Sequence, residues 1–153
     1  MRRIESFCVN HDLLTEGIYT SRVDGDVTTY DLRMRVPNRE PFLENAAIHT
    51  LEHLFATYAR NSEYSDRIIY FGPMGCRTGF YFLTRDIAPE EVIALTQRIM
   101  AQIAEYEGEI PGSTRVECGN YLDHDLAGAK REAAEFAEKI RGWSVAQMVY
   151  RTE

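Results

Sequence analysis

No apolar run in this chain approaches the roughly 20 residues that a helix needs to cross a bilayer. The first residues, Met1-Arg2-Arg3-Ile4-Glu5, are basic but lead into no apolar stretch, so they do not read as a signal peptide. Neither feature points to a membrane partner. Positive charge is short as well: 17 Lys and Arg face 24 Asp and Glu, a net charge of −7. A surface that binds phosphate backbones is basic, which argues against nucleic acid as a partner. Cysteine is sparse and odd in number, with Cys8, Cys76 and Cys118 lacking paired spacing. That disfavours a disulfide framework, favours thiol or metal chemistry, and fits a reducing cytoplasmic setting. Repeats, low-complexity tracts and linkers are absent, so residues 1–153 read as a single domain. A hydrophobic share of 44% is ordinary for one soluble core.

Tyr30, Leu32, Met34 and Val36 alternate with Asp31, Arg33 and Arg35, the period of a half-buried strand ended by Pro37. Ile18 to Val23 reads as its hairpin partner across Asp24-Gly25-Asp26. A helix follows Pro41, with Ile48, Leu51, Phe55, Tyr58 and Ala59 on its core face. Ile68 to Phe71 and Thr78 to Leu83 read as strands joined through Gly72-Pro73-Met74-Gly75. Pro89 opens another helix, carried by Val92, Leu95, Ile99 and Ile103 and ended near Gly108. Arg115 to Glu117 reads as a short last strand, and Leu126 to Ile140 as a mostly exposed helix. The expected class is α+β: an antiparallel sheet packed against helices.

Histidine is scarce too, and two of the four fall in His49-Thr50-Leu51-Glu52-His53. Two imidazoles four residues apart on a helix project from one side and can grip one metal ion, with the carboxylate within reach of whatever binds it. This H-x-x-E-H order is that of the inverzincin metallopeptidases. A solvated helix face is the plainer alternative. Cys118, in a Cys-Gly turn, is the natural third ligand; a buried structural cysteine is its alternative. Two imidazoles and a thiolate suit a borderline metal such as zinc or ferrous iron. Cys76 lies among glycines and a proline, where a thiol facing a cleft can shuttle protons. Arg77 or a nearby metal would favour its thiolate. The alternative is a core cysteine at a strand edge, and Cys8, after Phe7, reads as a small core residue. Ser6 and His11 read as local caps, Arg33 as a solvated charge on a strand, and His124 as a capping or charge-paired residue near a helix start.

Three motifs then occur in order: His49-Thr50-Leu51-Glu52-His53-Leu54, Pro73-Met74-Gly75-Cys76-Arg77-Thr78-Gly79-Phe80-Tyr81 and Cys118-Gly119. With Glu5-Ser6-Phe7, His11, Asp31-Leu32-Arg33 and His124-Asp125-Leu126, the chain closely resembles the LuxS family, the S-ribosylhomocysteine lyases, along nearly its whole length. The resemblance implies cleavage of S-ribosylhomocysteine to homocysteine and 4,5-dihydroxypentane-2,3-dione, the precursor of the quorum signal autoinducer-2. It implies ferrous iron on His49, His53 and Cys118, with zinc or cobalt as substitutes and water or substrate in the fourth position. Cys76 and Glu52 would be the acid/base groups, and Ser6, His11 and Arg33 would bind substrate. It further implies a homodimer with two sites at the interface. Tyr70 departs from the pattern, standing where many members carry an acidic residue that contacts substrate. Other readings are an inverzincin-type peptidase and a non-catalytic binding module held by a closed four-ligand metal site.

Overall fold

The computed structural model describes residues 1–153. Four strands, β1 (Gly17–Asp24), β2 (Val27–Arg33), β3 (Ile68–Pro73) and β4 (Gly79–Arg85), form one antiparallel sheet in the order β1-β2-β4-β3. Three helices, α1 (Asn45–Arg60), α2 (Pro89–Ala104) and α3 (Leu126–Lys139), complete the α+β fold. None is long and apolar enough to cross a membrane.

The alternation of β2 puts Tyr30 and Leu32 on the helix side, opposite Phe82 and Phe80 of β4. Phe55 of α1 stacks on Phe71 of β3 at 4.0 Å, and Phe71 stacks on Phe80 at 4.7 Å. These aromatic contacts, with Leu51 and Leu54 fully buried, fix α1 against the sheet. The adjoining face of α1, carrying His49 and His53, is left half-buried. Gly79 is required where β4 meets β2, because a Cβ there would lie 2.3 Å from the Leu32 carbonyl oxygen.

Several expectations are corrected. Residues 115–117 form a turn, not a strand. Cys118 N–H and Glu117 N–H both donate to the Thr114 carbonyl, and Thr114 Oγ1 donates to Glu117 at 2.6 Å. These local bonds satisfy the backbone without a neighbouring strand, and Val116 is left 95% exposed. The strand expected to run to Val36 ends at Arg33, because Met34 and Arg35 both turn their N–H groups onto the Thr78 carbonyl. α3 is not a mostly exposed helix. Gly128, Ala129, Ala133 and Phe136 are buried, since small residues let it approach α1 and α2 closely. Cys8 is exposed rather than a core residue, because the N-terminal segment lies outside the helix–sheet sandwich.

β2 is buried on both faces at its end, and Arg33 is not a solvated charge. Asp31 and Arg33 point away from the helices yet are 1% and 3% exposed. The segment after α3 covers them. It crosses the sheet edge at β1, burying Met148 on the helix side and laying Tyr150 over Tyr19 on the other at 5.2 Å. Trp143 secures the crossing by donating from Nε1 to the Ile18 carbonyl at 2.9 Å. Its ring occupies the space a Cβ at Gly17 would need.

Candidate metal centre and catalytic site

α1 presents His49 and His53 one turn apart, with ring planes nearly perpendicular at 88°. Each ring is oriented from behind. His49 Nδ1 donates to the Asp123 carbonyl at 2.7 Å, and His53 Nδ1 to the Pro111 carbonyl at 2.8 Å. Carbonyl oxygens only accept, so both neutral rings keep their protons on Nδ1 and offer a free Nε2 lone pair. Cys118 Sγ lies 3.5 Å from His49 Nε2, and the ligand atoms of His49, His53, Cys118 and His124 all fall within 4.8 Å of one another. Two pre-oriented imidazoles and one thiol fit a single borderline divalent metal.

His124 was not foreseen in this cluster. Its ring stacks on His49 at 3.9 Å and 19°, and its Nε2 is 3.9 Å from Cys118 Sγ. Thr50 Oγ1 accepts from Asp125 N–H and donates to the Ala46 carbonyl, so the His124 Nδ1–H fills its remaining lone pair at 3.0 Å. Nε2 of His124 therefore also faces the cluster as an acceptor. The ring of His124 is stacked on His49 but stands at 76° to His53. His124 is thus a fourth donor in the cluster, and the ligand set read from the sequence is three of these four. Burial, then the neighbouring His49 and His53, hold its pKa below the ordinary histidine value. The cap of α3 belongs to Asp125, whose carboxylate accepts from Gly128 N–H at 2.9 Å. His124 sits just before that cap on a loop, where sequence spacing carries no fixed geometry.

Glu52 is half-buried on α1, and none of the chain's ion pairs includes it. Cys76 occupies the turn between β3 and β4 with an exposed thiol. Arg77 holds this turn by its backbone, in left-handed conformation at φ 62°. The cost is about 1–2 kcal/mol for a residue with a Cβ. Arg77 N–H bonds Met74 O, Arg77 Nε bonds Leu43 O, and Leu43 N–H bonds Arg77 O, which ties the turn to the chain entering α1. The cation near Cys76 is Arg33, while the Arg77 guanidinium is turned to the Leu43 carbonyl. Arg33 Nη1 lies 4.0 Å from Cys76 Sγ and donates to Thr78 Oγ1 at 2.8 Å, which in turn is 3.0 Å from the same sulfur. Burial disfavours the Arg33 charge, but the Asp31 carboxylate outweighs that and leaves the pKa of the guanidinium above its ordinary value.

Ser6 and His11 join neither group. Ser6 lines a separate cavity of about 380 Å³ over the outer sheet face, with Ile4, Tyr70, Tyr81 and Leu83. His11 Nδ1 donates to the Val9 carbonyl at 2.9 Å. Tyr70 is 53% exposed at the rim of the cavity that Ser6 lines, its ring folded over Gly72.

A helix that presents two oriented imidazoles beside an unpaired carboxylate, on an α+β scaffold, defines a small enzyme built around a candidate mononuclear metal site. Two facts narrow that class. The model of the S-ribosylhomocysteinase (LuxS) family matches residues 4–147, and the chain belongs to that family. It is 49% identical over 146 residues to the S-ribosylhomocysteine lyase of Phocaeicola vulgatus, covering 92% of this chain and 91% of the relative. It is 47% identical to that of Desulfotalea psychrophila, over 92% of both chains. With that of Finegoldia magna it shares 44% over 155 residues, 98% of this chain and 99% of the relative.

Proposed function

We infer that this chain, acting over residues 1–153 as one domain, is an S-ribosylhomocysteine lyase that releases homocysteine and 4,5-dihydroxypentane-2,3-dione. The observation that carries this reading is the convergence of His49, His53 and Cys118 beside the unpaired Glu52, in a member of this family. The substrate's thioether lies at the far end of the sugar from its aldehyde. A thiolate leaves readily when the carbon beside the C–S carbon bears a proton next to a carbonyl. The carbonyl is therefore moved along the sugar in two proton-transfer steps before β-elimination.

Cys76 takes a proton from one of the carbons near the aldehyde and returns it to the neighbouring carbon. Glu52 does the same further along, then removes the proton whose electron pair expels the homocysteine thiolate. Arg33 stands beside Cys76, its Nη1 4.0 Å from the sulfur. His49, His53 and Cys118 would hold ferrous iron, with zinc or cobalt as substitutes, and the metal would supply Lewis acidity. In this reading His124 is not a ligand and the fourth position is left to water or substrate. Three free thiols suit a cytoplasmic location.

A homodimer completes the site in this reading. Ser6 and His11 make no hydrogen bond to the cluster or to Cys76 within the chain, and in this reading their substrate contacts are supplied to a second copy. Ile4 and Phe7 beside them are 54% and 66% exposed, apolar surface that a two-fold interface would bury. The test measures thiol released from S-ribosylhomocysteine, peptide cleavage and bound metal on one preparation. Thiol release with stoichiometric metal and no peptidase activity is expected. Metal without thiol release returns the binding-module reading.

A further inference from the structure

Tyr150, from the segment after α3, is brought to the outer face of the sheet. Its hydroxyl donates to Asp31 Oδ2 at 2.7 Å while its ring stacks on Tyr19. Burial, then the Asp31 carboxylate, push the phenol well above its ordinary range, so it stays a donor. The same carboxylate is gripped by both edges of Arg33, from Nε to Oδ1 at 3.1 Å and from Nη2 to Oδ2 at 2.7 Å. The free corner of that guanidinium, Nη1, faces Thr78 Oγ1 and Cys76 Sγ. Arg33 fills a lone pair of Thr78, and the Thr78 proton remains for the sulfur at 3.0 Å. The five side chains make one unbroken line from the outer sheet face to the exposed thiol.

We propose that Tyr150 is a positioning residue for Cys76, acting through Asp31, Arg33 and Thr78. The proposal rests on Cys76 being a proton-transfer group. Its physical content is competition for charge. Asp31 draws on the positive charge of Arg33, and the Tyr150 hydroxyl satisfies part of that carboxylate. More of the Arg33 field is then left on the Cys76 side, where it steadies negative charge as it forms on the sulfur. The hydroxyl also closes the site of a buried ion pair that water would otherwise compete for. Nothing in sequence spacing links position 150 to position 76.

The test is the alkylation rate of Cys76 by iodoacetamide at fixed neutral pH, read by peptide mass spectrometry so that Cys8 and Cys118 are scored apart. It is run on the full metal-loaded protein and on Tyr150→Phe, which removes only the hydroxyl. A fall of about three- to tenfold at Cys76, in a variant whose circular dichroism and melting match wild type, is expected. KM should stay near wild type while kcat falls, since the Tyr150 hydroxyl is committed to Asp31. Tyr150→Leu gives the same readout should the phenylalanine variant fold poorly. A Cys76 rate equal to wild type in a folded variant overturns the proposal. Full lyase activity in Cys76→Ala would overturn the catalytic reading of Cys76 instead, and leave the alkylation result standing.

Discussion

His53 Nδ1 lies 2.8 Å from the carbonyl of Pro111, so a ring on α1 is aimed by a loop 58 residues further along the chain. His49 is aimed in the same way by Asp123, 74 residues away. The two imidazoles are pre-oriented by backbone, and ligand binding does not have to supply that order.

Replacing His49 or His53 by Ala, or Cys118 by Ser, should therefore reduce bound metal and lyase activity together. Metal content by elemental analysis, beside thiol release, reads both. Stoichiometric metal and full turnover in His53→Ala would end this ligand assignment. Chelation of the wild type should abolish thiol release, and ferrous iron should restore it.

His124 should behave differently. His124→Ala keeps the three converging ligands, so metal should remain at one per chain. Loss of a flanking group on the site should weaken metal affinity by about 10- to 100-fold. Competition with a calibrated chelator measures this. Complete loss of metal would make His124 a ligand and the site a closed one.

Cys76 and Glu52 should fail in different ways with metal retained. Either loss should lower turnover by about 10²-fold or more, the usual worth of a positioned acid or base. Proton NMR in deuterium oxide separates them. Cys76→Ala should largely lose exchange of the sugar C–H protons near the aldehyde. Glu52→Gln should accumulate a keto sugar that still carries its thioether. Unchanged exchange in Cys76→Ala would leave Glu52 as the only base.

A shared site predicts complementation between inactive chains. His11→Ala and Glu52→Gln suit this better than Arg33→Ala, because Arg33 and Asp31 form a buried ion pair. Breaking such a pair costs about 3–5 kcal/mol and would confuse folding with catalysis. Equimolar co-refolded mixtures should regain roughly a quarter of wild-type turnover, because about half the dimers are mixed and each of those holds one intact site of two. No recovery in mixtures proven to contain mixed dimers would place each site within one chain.

The imidazole pair on α1 was legible because a helix has a fixed period: residues four apart share a side whatever surrounds them. The alternation of β2 and the proline opening of α2 are local in the same sense, and the α+β class followed from them. Cys118 was reachable by chemistry, as the soft donor left over for a histidine pair. The chain could not reveal that Arg33 is buried, since the period of two says only which face it takes. Tyr150 and the crossing at β1 bury it. Nor could it say that residues 115–117 bond to themselves in place of a strand, that Cys8 lies outside the core, or that His124 stacks on His49. Each of these depends on which distant segments pack together, and packing is decided by the whole core at once. Sequence by itself determined the donors and their order along the chain. Tertiary structure alone decided which backbone carbonyls aim them, which cation stands beside Cys76, and what covers that cation.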